Sequence, residues 1–166
     1  MKRTFVMSLG ILGLMMGKEL WADTYVSGTI TSNTTWTQVS SPYIATDTVT
    51  VAQGVALTIE PGVTVMFATE TSLIVFGTLI AIGNLTGTIT FTGQSATPGY
   101  WQSIKFSGSN AKGTISYCDI GYAKQAVYLE DVSGVIITHN YIHNNKGNNG
   151  ASGSSYLPSI DKVALL

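Results

Sequence analysis

From Thr48 onward, apolar and polar residues alternate with a period of two in short runs. Val49-Thr50-Val51, Ala56-Leu57-Thr58-Ile59 and Val63-Thr64-Val65-Met66-Phe67 are the clearest of them. A period of two places every other side chain on one face, so each run predicts a short strand buried on one side only. No segment after Ala22 carries the helical period. Gly, Asn, Ser or Pro separates the runs, and Glu60-Pro61-Gly62 lies between two of them. Pro61 fixes its own φ and Gly62 accepts a positive one, which together suit a type II turn.

The runs also repeat. Val51 is followed about 22 residues later by Leu73, Leu57 by Leu79, Ile82 by Ile104, Ile115 by Ile137, and Ile120 by Ile142. A circuit of this length holding two or three short strands predicts a coil whose turns stack like on like at the strand spacing of about 4.8 Å. The expected fold is all-β, a right-handed parallel β-helix of about four to five rungs. Leu57, Ile59, Leu79, Ile82, Ile104, Ile115, Ile137 and Ile142 are expected to line one continuous core, with Thr and Ser facing water. Asn140 and Asn145 fall where turn residues recur, and Asn tolerates left-handed backbone while bonding to the adjacent rung.

The ends of the chain read differently. Lys2 and Arg3 precede the apolar run TFVMSLGILGLMM, and Leu20-Trp21-Ala22 follows, the order of a secretory signal peptide cleaved after Ala22. The run is shorter than the roughly 20 residues a spanning helix needs, so no membrane span is expected after its removal. The expected organisation is 1–22 as signal peptide, 23–48 as cap and entry strands, 49–145 as rungs, and 146–166 as a tail without the period. That tail, KGNNGASGSSYLPSIDKVALL, reads as a makeshift cap or as the start of a lost rung. An uncapped coil end would invite end-to-end association.

Charge narrows the partners. The formal net charge is -1, so neither a nucleic-acid footprint nor a polybasic membrane patch is present, and no nucleic-acid partner is expected. Cys118 is the single cysteine. It has no disulfide partner within the chain and reads as a small core residue.

The segments TTWTQVSSPYIATDTVTVAQGVALTIEPGVTVMF, LIVFGTLIAIG, ITFTG, GYWQSIKFSGS, ISYCDIGYA and SGVIITHNYIHNN resemble, in their order, the right-handed parallel β-helix repeat proteins that bacteria secrete. The resemblance runs from Thr34 to Asn145 and implies the broad pectate-lyase-like superfamily, whose fold carries lyases, hydrolases, adhesins and non-catalytic modules alike. The lyases of that superfamily use an Arg base with Asp and Glu on calcium, and its galacturonan hydrolases use an Asp-Asp pair with an Arg-x-Lys element. After Arg3 this chain has no Arg, no Asp-Asp pair and no Arg-x-Lys.

The remaining polar candidates are sparse. Glu130 and Asp131 are adjacent, so in a strand they would face opposite ways, and they read as a solvated turn. Asp119 has Tyr141 as its one-rung neighbour, which predicts no carboxylate ladder for calcium. His139 and His143 lack a third ligand nearby and read as exposed turn histidines. No metal, cofactor or catalytic residue is assigned. Thr86, Thr88, Thr90 and Thr92 alternate as an ice-binding array would, but the array does not recur one period away.

Aromatics offer a route to binding, since sugar rings stack on flat apolar faces. Trp36, Trp101, Tyr128 and Tyr141 are the candidate carbohydrate platform, although for Trp36 and Trp101 the preferred reading is as caps or corner fillers of the coil, since half-buried aromatics are common in strands. The expected protein is an exported, non-catalytic module, secreted or held at the cell surface. Its expected partner is a polysaccharide or a cell-surface component, in adhesion or carbohydrate binding. The alternative is a polysaccharide-active lyase or glycoside hydrolase, or a truncated fragment of one.

Overall fold

The computed structural model describes residues 23–147. The signal peptide assigned to 1–22 and nearly all of the tail assigned to 146–166 lie outside them. Within the described residues the chain is a parallel β-solenoid of about five turns. The first turn holds β1 (Thr24–Ile30) and β2 (Thr34–Trp36), and a short 3-10 helix, Gln38–Ser40, leads on from it. The second holds β3 (Tyr43–Val51) and β4 (Ala56–Ile59). The third holds β5 (Thr64–Phe67), β6 (Leu73–Val75) and β7 (Thr78–Ile82). The fourth holds β8 (Ile89–Gly93), β9 (Ile104–Ser107) and β10 (Lys112–Ser116). The fifth holds β11 (Cys118–Gly121), β12 (Val127–Glu130) and β13 (Gly134–Thr138), and β14 (Tyr141–His143) opens the next.

Every strand pairing between turns is parallel and joins one turn to the turn before or after it. Three faces result. The beginning of β3 pairs through β5, β8 and β11 to β14 on the first face, and the end of β3 pairs through β6 and β9 to β12 on the second. The third face runs β2, β4, β7, β10, β13. Segment 23–48, expected as cap and entry strands, forms the first turn and part of the second, since β1 pairs in parallel with both halves of β3.

In-register stacking sorts the inward side chains into columns. Tyr43, Val65, Phe91, Ile120 and Ile142 form one on the first face. Val49, Leu73, Ile104 and Val127 form one on the second. Trp36, Ile59, Ala81, Ile115 and Ile137 form one on the third. All are buried in a single core, and each large aliphatic or aromatic side chain so buried contributes about 1.5–3 kcal/mol.

The expected core holds except at Ile82. Leu57, Ile59, Leu79, Ile104, Ile115, Ile137 and Ile142 are buried, whereas Ile82 is 45% exposed. β7 turns Leu79 and Ala81 inward, so Ile80 and Ile82 face out. Ile82 pairs with Ser116, not with Ile104, because the long connection 94–103 intervenes and an equal spacing along the sequence crosses from one face to another. Val51 likewise pairs with Val75, while Leu73 sits beside Val49.

The corners carry the remaining backbone polar groups. Gly62 takes φ 81°, and the Val63 N–H donates to the Glu60 carbonyl at 3.3 Å, as a type II turn requires. Glu60 also accepts the Gln38 N–H of the turn before at 3.0 Å. Asn140 accepts the Cys118 N–H at 2.8 Å and donates to the Ile115 carbonyl at 2.8 Å. Asn145 does the same for Ala123 and Ile120, at 2.7 and 3.1 Å. Both thus satisfy backbone groups of the preceding turn that the strands leave unpaired.

Column membership predicts stability. Ile104→Ala should lower the unfolding free energy by about 2–5 kcal/mol, and Ile82→Thr should change it by less than about 0.5 kcal/mol. Urea denaturation of the two variants compares them; equal losses would mean that the inward columns are assigned wrongly.

Candidate functional site

Ile120 and Ile142 point into the core, so their strand neighbours Asp119, Gly121, Tyr141 and His143 point out of the first face. Asp119 pairs with Tyr141 and Gly121 with His143. The absence of a side chain at Gly121 lets the His143 ring lie against the backbone, where an added Cβ would come within 2.9 Å of it. From there His143 reaches diagonally to Asp119, Nε2 to Oδ1 at 2.7 Å. Tyr141 stacks on the His143 ring at 4.6 Å and 25°, and Tyr122 meets it edge-on at 5.7 Å. Tyr141 is 58% exposed. The result is a flat aromatic surface beside a carboxylate whose position is fixed by its imidazole partner.

His139 stands apart from this group. It occupies a corner with φ 55°, is exposed, stacks on Tyr117 at 5.0 Å and bonds Thr138 Oγ through Nδ1 at 2.6 Å. The expectation of an exposed turn residue describes His139, but His143 is a half-buried strand residue with a carboxylate partner. Among the described residues no group of three or more His, Cys, Asp or Glu comes together as a metal site. Asp119 has Thr90 on one side and Tyr141 on the other, so no second carboxylate adjoins it in its column.

A second polar cluster lies on the second face. Lys105 pairs with Tyr128, and Ser107 with Glu130. Lys105 Nζ stands 3.0 Å from Glu130 Oε2 and 5.2 Å above the Tyr128 ring. The Ser107 hydroxyl donates to the same Glu130 oxygen at 2.6 Å. The Ser107 hydrogen bond, with Lys105 next, holds the Glu130 carboxyl below its ordinary value. Glu130 is the last residue of β12, half-exposed and bonded to Ser107 and Lys105, and so lies in the strand and not in the turn. Asp131, with φ 54°, forms that turn.

The aromatic candidates divide. Trp36 and Trp101 are buried and have no face open to a sugar. Trp36 stacks on Tyr43 at 4.8 Å, and Trp101 stacks on Phe67 at 4.2 Å while its Nε1–H donates to the Gly121 carbonyl at 2.8 Å. Both fit the reading as caps or corner fillers: Trp36 begins the inward column of the third face, and Trp101 fills the corner before β9. Tyr128 and Tyr141 face outward, each beside a charged residue. Thr90 and Thr92 lie beside Thr64 and Met66, and Thr90 is followed by Asp119, so the outward threonines form no continuous array. Cys118 is buried, and burial pushes its thiol up to about 12.

No family model matches the chain, and no solved structure matches it. A stretch of 73 residues is 42% identical to the protein bark beetle of Drosophila melanogaster. The match takes in 44% of this chain and 2% of that relative's length.

Two measurements follow from the protonation states. Cys118 should be inert to a thiol reagent at pH 8 in the folded protein and react fully in denaturant; rapid labelling of the native chain would contradict its burial. Glu130, depressed below 4.5, contributes stability that is present above its unfolded value and lost as pH falls through its folded one. Glu130→Gln should therefore flatten the acid limb of the stability profile below about pH 4.5, and an unchanged limb would show that the carboxylate is not held.

Proposed function

We propose that this chain is an exported, non-catalytic module of the right-handed parallel β-helix type that binds carbohydrate at or outside the cell surface. The observation that carries the reading is the outward group on the first face. Tyr141 presents an open ring stacked on His143, and Asp119 lies at hydrogen-bond distance from that imidazole. A pyranose has one apolar face and a rim of hydroxyls, so it takes a ring beneath it and a fixed acceptor beside it. The resemblance to secreted bacterial β-helix proteins and the charged, apolar and small-residue order of 1–22 support export.

The pairing of His143 with Asp119 favours a second reading, because an imidazole held by a carboxylate is a proton-transfer unit. Glycoside hydrolysis needs two carboxylates flanking one bond, about 5–9.5 Å apart. Asp119 has only Thr90 and Tyr141 as column neighbours. Proton abstraction beside a uronate needs a cation to stabilise the enolate, and the outward group contains none besides the imidazole itself.

Affinity electrophoresis through gels holding pectate, galacturonan, alginate or neutral polysaccharides tests the binding reading. Retardation is expected in at least one, with Tyr141→Ala weakening it about tenfold. Unsaturated uronate product, dependent on calcium and abolished by Asp119→Ala, would replace this reading with the enzymatic one.

A further inference from the structure

Three successive turns cut the corner between the second and third faces differently. The second turn takes four residues, 52–55, to pass from β3 to β4, and the fourth takes four, 108–111, from β9 to β10. The third turn, between them, passes from β6 to β7 with Phe76 and Gly77 alone. Two long corners flanking a short one leave a notch in the edge of the coil. It is a cleft of about 160 Å³ lined by Gln53, Phe76, Ser107, Gly108, Ser109 and Asn110.

The chemistry of the notch is specific. Its apolar part is the Phe76 ring, which is 41% exposed although a two-residue corner has no need of an aromatic. Around it stand two amides and two hydroxyls. Only Ser107 among these four side chains hydrogen-bonds to another side chain of the described residues, donating to Glu130. Gln53, Ser109 and Asn110 are exposed at the rim with their polar groups free for a ligand. No charged residue lines the cleft, and the adjoining Lys105 and Glu130 neutralise one another at 3.0 Å. A partner suited to this surface has an apolar face and many hydroxyls, and carries no net charge.

We infer that the notch over Phe76 is a second carbohydrate subsite, taking one neutral pyranose residue with its apolar face on the Phe76 ring and its hydroxyls on Gln53, Ser109 and Asn110. The choice of ligand class rests on the carbohydrate-binding reading above, while the location rests on the corner geometry alone. The notch lies across the coil's second and third faces, whereas Tyr141 and His143 lie on the first, so the two sites are occupied independently. A polysaccharide of uronates is disfavoured here, because the notch offers its carboxylates no unpaired cation.

Amide-detected NMR titration of the full chain with methyl glucoside, methyl galactoside, methyl N-acetylglucosaminide and methyl galacturonoside tests the inference. At least one neutral glycoside should shift the side-chain amide signals of Gln53 and Asn110 at millimolar concentration. Phe76→Ala should weaken that binding at least tenfold, while Tyr141→Ala leaves it unchanged. Phe76 is outside the core, so the variant should keep its melting temperature; Asn110→Ala provides a second variant if it does not. Shifts produced only by the galacturonoside would overturn the neutral assignment. Absence of shifts at Gln53 and Asn110 alongside Tyr141-dependent binding would overturn the notch and leave the first-face site standing. Notch binding in a chain whose retardation by every polysaccharide gel is indifferent to Tyr141→Ala would sustain the inference and remove the first-face platform.

Discussion

Among the described residues each strand hydrogen-bonds only to the turn before it and the turn after it, and that one-dimensional ladder constrains everything else. Backbone pairing fixes the register, and register decides which side chains stand above one another. An inward residue must therefore suit its neighbours in two adjacent turns. Where the neighbours are large, as Trp36 and Ile59 are, the next turn contributes the small Ala81, and Ile115 follows. The interior is a set of columns, and no single strand has a core of its own.

The same constraint decides how much could be read from the sequence. Pairs such as Leu57 with Leu79, Ile115 with Ile137 and Ile120 with Ile142 were legible, because nothing but a constant spacing separates them. Ile82 and Ile104 keep that spacing, yet the connection 94–103 shifts them onto different faces. The spacing placed Ile82 in the core, and the alternation along β7 puts Ala81 there instead. Trp101 was legible as a corner filler, and what the sequence hid was its partner, since the stacking on Phe67 joins residues far apart in sequence.

Outward chemistry was harder to see, because it arises where the repeat is imperfect. Asp119 and His143 are not register partners; their hydrogen bond runs diagonally and depends on the missing side chain at Gly121. Phe76 follows Leu73-Ile74-Val75 and reads as a continuation of the strand. Only comparison of corner lengths between turns, Ala52-Gln53-Gly54-Val55 against Phe76-Gly77 and then Gly108-Ser109-Asn110-Ala111, marks it as the floor of a notch. Regular columns hold the coil together, and the departures at Gly121 and Phe76 are where the proposed recognition is placed.

The central claim is that these departures on the outer surface, and not the interior or the coil ends, hold a sugar. A crystal structure of the full chain grown with a neutral oligosaccharide tests it most directly. The account predicts a pyranose ring lying flat on Tyr141 or on Phe76, with hydroxyls on Asp119 or on Gln53 and Asn110. A structure with both aromatic rings bare and the sugar bound elsewhere would contradict it.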